Sequence, residues 1–225
     1  MTHLSESVLR EAVCEVGRRM YARNLVAATD GNISVRLDDD RYLCTPSAVS
    51  KGFMKPEDLV IADGAGGKIA GGGKVTTEFT THLAAYEARP DMAAVVHAHP
   101  PKALALSVAG YTMEDCVLPE VVYALGGVPT APYATPATPE GAAAIRDLIG
   151  RCDAVMMDRH GSITLGVDVF DAYFKLEKLE HAAETLLLAR LLGEPRRLEP
   201  SEVDKLLAVR EAYGVSGKPY RPTDA

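Results

Sequence analysis

The sequence predicts a single domain of the α/β class. The chain has 225 residues, of which 47% are hydrophobic, enough for one sizeable core. Short apolar runs at residues 93–96 and 154–157 are typical of buried strands. Between such runs lie longer segments with apolar residues every three or four positions, which is typical of amphipathic helices. Strands and helices that share one chain of this size indicate a mixed fold.

The first helix is predicted over residues 5–24, where Leu9, Val13, Val16 and Met20 recur at helical spacing. A strand hairpin over 33–36 and 41–45, a strand over 60–62 and a glycine hairpin over 63–74 follow. The remaining predicted elements are a helix over 76–88, a strand that ends near His99, helices over 103–109 and 138–149, strands over 128–133 and 154–160, and helices over 168–192 and 201–213. Residues 215–225 are rich in glycine and proline and are predicted to be a mobile tail.

Charge and composition exclude several classes of partner. The net charge of −7 argues against nucleic acid or an anionic membrane as the main partner. No signal peptide precedes the first helix and no apolar run approaches the roughly 20 residues of a membrane span, so we expect a cytoplasmic protein. The four cysteines form no Cys-x-x-Cys pair and are expected to be reduced and buried: Cys14, Cys44, Cys116 and Cys152.

Two histidines at the end of a buried strand indicate a metal site. Side chains alternate along a strand, so His97 and His99 lie on one face, roughly 6.5 to 7 Å apart at Cα, and their imidazoles can converge on one ion. The alternative is two unrelated histidines at a strand end. His160, at the end of the second buried strand, is the natural third ligand. His3 near the terminus and His181 within a long helix are poorer candidates.

Turns rich in glycine and hydroxyl groups are candidate anion sites. Gly31 and Asn32 open a strand, where they either form a plain connection or face an anion. Thr76 and Thr77 at a predicted helix start either bind an anion or cap the helix. Glu78, in the first turn of this predicted helix, interacts favourably with the positive end of the helix dipole.

Two further features of the sequence, His82 and the glycine-rich run before Lys74, can each be explained in two ways. His82 lies four residues after Glu78, so it either pairs with that carboxylate on a metal or is simply packed or exposed. The glycine-rich run before Lys74 has the wrong spacing for a phosphate loop and is better explained as a hairpin.

Five motifs in this order resemble the class II aldolase/adducin family. They are residues 31–36 (Gly-Asn-Ile-Ser-Val-Arg), 45–47 (Thr-Pro-Ser), 76–78 (Thr-Thr-Glu), 97–100 (His-Ala-His-Pro) and 159–161 (Arg-His-Gly). The resemblance covers essentially the whole chain as one domain. It implies a three-layer α/β/α fold with a largely antiparallel central sheet, and a C4 homotetramer with active sites between subunits.

The resemblance also implies the site. Zn²⁺, or Mn²⁺, Co²⁺ or Fe²⁺ in its place, would be held by His97, His99 and His160, with Glu78 as alternating ligand and catalytic acid/base. The substrate phosphate would lie on Gly31, Asn32, Ser47, Ala48, Thr76 and Thr77. Tyr123, and also Tyr213, would reach in from the next subunit. Ala48 departs from the family pattern, which has glycine there.

The activity implied is that of a zinc-dependent aldolase. Such an enzyme would cleave a ketose 1-phosphate, either L-fuculose 1-phosphate-like or a 5-deoxy or methylthio pentulose 1-phosphate, to dihydroxyacetone phosphate and an aldehyde. Tyr123 would remove the hydroxyl proton and Glu78 would protonate the enediolate. The alternatives are a sugar-phosphate 4-epimerase, whose family members carry Asp at the position of Glu78, a methylthioribulose-phosphate dehydratase, and a non-enzymatic adducin-like module.

Overall fold

The structure, a computed structural model, describes residues 4–222 and contains one central sheet. Its strands are β1 (Asn32–Arg36), β2 (Arg41–Cys44), β3 (Val60–Asp63), β4 (Lys68–Ala70), β5 (Ala94–Ala98), β6 (Thr130–Ala131), β7 (Ala154–Met157) and β8 (Gly161–Gly166). Across the sheet they follow the order β4-β3-β2-β1-β5-β8-β7-β6. Every neighbouring pair is antiparallel except β6 and β7. The largely antiparallel sheet is therefore confirmed.

Helices cover both faces of this sheet. They are α1 (Glu6–Ala22), α2 (Phe79–Ala88), α3 (Pro101–Val108), α4 (Pro119–Leu125), α5 (Pro139–Ile149), α6 (Val169–Leu192) and α7 (Pro200–Ala212). α1 and α6 pack on one face, and α2 and α5 pack on the other. These layers confirm the predicted α/β/α architecture. α3, α4 and the end of α6 form a further apolar cluster, and α7 packs on α4.

The two faces of β5 show how the sequence builds this arrangement. Val95 belongs to the core under α2 and α5, whereas Val96 belongs to the core under α1 and α6. Successive side chains point to opposite faces of a strand, so a continuous apolar run is required where both faces are covered. His97 follows on the face of Val95, beneath α2.

One strand was absent from the sequence prediction. β8 lies between β5 and β7 and is buried along its whole length. Its hydroxyl residues Ser162 and Thr164 interrupt the apolar pattern, so the sequence of this central strand is similar to that of a polar loop. Thr164 is satisfied there by donating to the carbonyl oxygen of Ala172, 2.9 Å away. The two strands β7 and β8 form a hairpin, and His160 lies in its turn.

Other boundaries differ slightly from expectation. Thr76 and Thr77 precede α2, and Glu78 occupies its N-cap without a side-chain capping bond. Residues 119–125, to which the sequence assigned no element, form α4 behind an N-terminal proline. All four cysteines are free and buried, as predicted. His3 lies outside the described residues, and within them no helix is long and apolar enough to cross a membrane.

The tail packs on its own chain as far as residue 222. The backbone of Tyr220 donates to the carbonyl of Leu125 at 2.7 Å and accepts from Gly127 at 3.1 Å. Lys218 exchanges backbone hydrogen bonds with the side chain and main chain of Asp153. These contacts place the tail beside α4 and the hairpin β7–β8.

The sheet topology brings the predicted site residues to one edge. In an antiparallel sheet, the beginning of one strand and the end of its neighbour meet at the same edge. Asn32 at the start of β1 pairs with His97 near the end of β5, and Ser34 pairs with Cys44 at the end of β2. Met157 at the end of β7 pairs with Gly161 at the start of β8. Segments far apart in the chain therefore converge.

Candidate metal and anion site

Three histidines form a cluster at this edge of the sheet. His97 lies within β5, His99 directly follows it, and His160 lies in the β7–β8 turn. Each offers one ring nitrogen, and the three nitrogens lie within 4.8 Å of one another. Nε2 of His97 is 3.0 Å from Nε2 of His99. The structure thus brings together the three residues that the sequence predicted as ligands.

Neighbouring groups orient these imidazoles as metal ligands. Nδ1 of His97 lies 2.9 Å from the carbonyl oxygen of Ser162, which accepts its proton and leaves Nε2 with a free lone pair. Nδ1 of His99 lies 3.5 Å from Oδ2 of Asp30. Burial, together with the neighbouring His97 and His160, lowers the pKa of His99 to about 4. Neutral imidazoles with converging lone pairs fit a divalent cation such as Zn²⁺.

Glu78 faces this cluster from the N-terminus of α2. Its Oε2 lies 3.2 Å from Nε2 of His97, and its Oε1 lies 3.2 Å from Nε2 of His160. Burial raises the pKa of Glu78, but contacts with His160, His97 and Asn32 outweigh burial and place the pKa well below its ordinary value. The carboxylate can thus act as a ligand or exchange a proton with a molecule bound at the histidines.

A chain of buried hydrogen bonds holds the carboxylate of Glu78 in place. Nδ2 of Asn32 donates to Oε2 of Glu78 at 2.8 Å, and Oδ1 of Asn32 lies 2.5 Å from Nε2 of His82. Since Oδ1 can only accept, Nε2 of His82 carries the proton and Nδ1 accepts from Ser34 at 2.7 Å. Ser34 in turn is 2.9 Å from the hydroxyl of Tyr86. His82 is fully buried and packed rather than paired with Glu78 on a metal.

The residues predicted to bind phosphate lie on three loops that are linked to one another by hydrogen bonds. Ile33 and Thr45 exchange hydrogen bonds, which places the loop of Gly31 next to the loop that contains Ser47 and Ala48. The backbone of Ser47 donates to the carbonyl of Lys74 at 2.9 Å, which adds the loop that leads to Thr76 and Thr77. The side chain of Asn32 contacts Glu78 and His82. The assignment of these residues to phosphate stays a prediction.

Backbone geometry explains two small residues at this edge. Ala48 has φ +59°, the left-handed region in which the family pattern has glycine. Gly161 packs against the histidines, because a Cβ there would lie 2.4 Å from the carbonyl oxygen of Ala98 and 2.9 Å from Cδ2 of His99. Gly161, which belongs to the third histidine's motif, is therefore required for close packing.

The two tyrosines predicted to act from another subunit do not meet the cluster within one chain. Tyr123 lies on α4 in an open groove with Lys178 and Leu206. Glu78 and His160 line a different cavity, whose other walls come from the loop 131–137, α5 and the end of β7. Tyr213 caps α7 and is 80% exposed. Their predicted roles are not tested by a single chain.

Several contributors were missed by sequence reasoning. Asp30 had no predicted part in the site, yet it contacts His99. Ser34, His82 and Tyr86 support Asn32, for which the sequence left open a plain connection or a contact with an anion. The signal available in the sequence was the spacing of Glu78, His82 and Tyr86, four residues apart on one helix face.

Fold and site together define a three-layer α/β domain with a three-histidine, one-carboxylate cluster at one edge of the sheet. The family model described as "Class II Aldolase and Adducin N-terminal domain" matches residues 11–187. The chain therefore belongs to the class II aldolase/adducin family, as its motifs predicted.

Individual relatives cover nearly the whole chain. A 3-oxo-tetronate 4-phosphate decarboxylase of Cupriavidus necator is 35% identical over 80% of this chain and 84% of its own length. A 5-deoxy-D-ribulose 1-phosphate aldolase of Bacillus thuringiensis is 32% identical over 91% of this chain and 96% of its own length. Among solved structures, an L-fuculose 1-phosphate aldolase superposes with a TM-score of 0.85 at 26% identity, covering 95% of this chain and all of that one.

Proposed function

We propose that the protein is a metal-dependent carbon–carbon lyase that releases dihydroxyacetone phosphate from a phosphorylated substrate. One observation carries this proposal: Glu78 contacts two of three converging histidines, and its hydrogen-bond partner Asn32 follows one of three loops that are hydrogen-bonded to one another. Such an arrangement couples a cation, a proton-transfer group and a phosphate subsite. The names of the relatives support the same chemistry.

The residues have separate roles in this proposal. His97, His99 and His160 hold the cation, with Zn²⁺ favoured by the all-imidazole set and Mn²⁺, Co²⁺ or Fe²⁺ as alternatives. When bound, the cation acts as a Lewis acid on the oxygens of the substrate. The three loops hold the phosphate, and Glu78 transfers a proton to or from the carbon next to the carbonyl. Asn32 keeps the carboxylate facing that carbon.

The first candidate is an aldolase that cleaves a ketose 1-phosphate to dihydroxyacetone phosphate and an aldehyde. Named aldolases among the relatives and the presence of Glu at position 78 support it. Aldol cleavage also requires a group that removes a proton from the substrate hydroxyl. Tyr123 is proposed for this role from a neighbouring subunit of a homotetramer, because within one chain it lies in a different groove.

A second candidate is a decarboxylase that acts on a 3-oxo-tetronate 4-phosphate. Two of the relatives with this name are 35% and 34% identical to the chain. Loss of CO2 from a 3-oxo acid leaves a carbanion whose protonation yields dihydroxyacetone phosphate. This reaction needs one proton at the carbanion, and we propose that Glu78 relays it there from solvent water. A 4-epimerase, a methylthioribulose-phosphate dehydratase and an adducin-like module have less support.

One product assay separates these candidates. The zinc-loaded protein is incubated with dihydroxyacetone phosphate and lactaldehyde, methylthioacetaldehyde, acetaldehyde or glycolaldehyde. Separate reactions contain a 3-oxo-tetronate 4-phosphate or a ribulose 5-phosphate. A ketose 1-phosphate product identifies the aldolase, and CO2 with dihydroxyacetone phosphate identifies the decarboxylase. Inversion at C4 of a ribulose 5-phosphate with neither product would contradict both. Light scattering of the purified protein tests the tetramer.

A further inference from the structure

Lys51 is a buried lysine next to the loops of the proposed phosphate subsite. Its side chain is 1% exposed. Its Nζ donates to the carbonyl oxygen of Thr29 at 2.9 Å and to that of Val49 at 2.5 Å. Thr29 immediately precedes the loop of Gly31, and Val49 directly follows Ser47 and Ala48. One ammonium group therefore ties two of the three loops together.

The charge of this ammonium is not balanced by an ion pair. Within residues 4–222 its two close partners are neutral carbonyl groups, so one of its three N–H donors is free. The contrast is Lys175, also buried, which contacts Asp153 and Asp171 at 3.0 Å each. Burying an ammonium without a counter-ion is costly. Burial lowers the pKa of Lys51 to about 8, a shift that Asp30 partly opposes, and the group still carries its proton at neutral pH.

We infer that Lys51 is a positioning residue, and that the phosphate of the substrate is the counter-ion of its buried positive charge. This inference rests on the proposed function, because it requires an anion between the three loops. The ammonium holds the carbonyl groups of Thr29 and Val49 and thereby sets the spacing of the loops. Its field stabilises the bound anion from behind the loop backbone, in a region where low dielectric strengthens that attraction.

Inorganic phosphate is the probe, and calorimetric titration of the metal-loaded protein gives its dissociation constant. K51Q retains hydrogen-bond donors but loses the charge, and we expect it to weaken phosphate binding by about tenfold or more. K51R keeps the charge and should bind phosphate within about threefold of wild type. The matched control is K55Q, an identical change at the exposed Lys55 in the same segment, which should leave phosphate binding unchanged.

Two further readouts separate positioning from loss of structure. Metal content of K51Q, measured by atomic emission, should equal that of wild type. With the substrate that the product assay identifies, K51Q should raise KM and leave kcat nearly unchanged, since the lysine acts on phosphate binding rather than on proton transfer. K74Q, at the exposed lysine of the third loop, shows whether any lysine near the subsite has the same effect.

The outcomes are distinguishable. If wild type and K51Q bind phosphate equally well, this inference is wrong and the proposed function is unaffected. Wild type that fails to bind phosphate overturns both. If K51Q does not fold, K51M fills the same space without burying an amide and carries the same expectation. A loss in K74Q equal to that in K51Q also contradicts a particular role for Lys51.

Discussion

The amide nitrogen of Asn32 donates a 2.8 Å hydrogen bond to Oε2 of Glu78. The same amide group accepts through its oxygen from His82, so its orientation is set by the core rather than by solvent. A buried donor held in this way favours the ionised carboxylate and directs it towards the histidines.

Replacing Asn32 by aspartate should therefore reduce activity more than stability. In N32D an oxygen faces Oε2 of Glu78, and repulsion between the two carboxylates displaces the catalytic group. We expect kcat to fall about 100-fold while metal content is retained. N24D introduces the same change at an exposed position and should be fully active. Equal activity of N32D and wild type would contradict the role given to the hydrogen bond.

His82 should make stability depend on pH. Burial lowers its pKa from 6.5 to about 3, so the unfolded chain binds a proton first as the pH falls. The free energy of unfolding of the metal-free protein should fall between about pH 6.5 and about pH 3 through this group.

The variant H82Q isolates this contribution. Glutamine can still donate to Asn32 but does not titrate, and we expect a loss of about 1 to 2 kcal/mol at pH 7.5 from imperfect packing. The gap between wild type and H82Q, measured by urea unfolding, should shrink below pH 6.5. A gap that stays constant down to pH 5 would show that His82 does not titrate as its burial implies.

Glu78→Gln should separate metal binding from proton transfer. The three histidines are unchanged, so the variant should still bind one equivalent of metal. Glutamine cannot exchange a proton with carbon, and deuterium exchange at the hydroxymethyl carbon of dihydroxyacetone phosphate should fall by at least about 100-fold. E57Q, at an exposed glutamate, is the control. Undiminished exchange in E78Q would remove Glu78 from its proposed role.

His160→Ala should abolish stoichiometric metal binding. Removing one of three imidazoles leaves two histidine ligands and an empty position in the coordination sphere. Metal content and activity should both be lost, and a chelator should produce the same loss in wild type, reversed by added Zn²⁺. H181A changes an exposed histidine on α6 and should retain both properties. Full metal content in H160A would contradict the ligand set.

Ala48→Gly should stabilise the protein. Ala48 has φ +59°, where a Cβ costs roughly 1 kcal/mol and glycine does not. We expect the free energy of unfolding to rise by about 0.5 to 1 kcal/mol, which chemical denaturation can detect. A143G makes the same substitution at an exposed position within α5, where it should destabilise by a similar amount. Destabilisation by both would show that Ala48 is not strained.

Much of the fold is readable from local patterns. The period of apolar residues predicted α1, α6 and the buried strand β5, because helices and strands expose their side chains at different spacings. The same pattern failed at β8, where Ser162 and Thr164 are buried in a central strand and the hydroxyl of Thr164 donates to the carbonyl oxygen of Ala172. Propensity cannot reveal such partners, since they come from other parts of the chain.

The sequence by itself singled out His97, His99 and His160 as candidate metal ligands, and its resemblance to the family added Glu78, because ligand chemistry belongs to residue types and to their place in motifs. Only the tertiary structure decided that Asn32 turns towards Glu78, that His82 holds it there, and that Lys51 lies buried between two loops without a counter-ion. The physical reason is that burial and hydrogen-bond partners depend on contacts between residues 20 to 50 positions apart, as the separations of 46, 50 and 22 residues in these pairs show. No local pattern in the sequence encodes them.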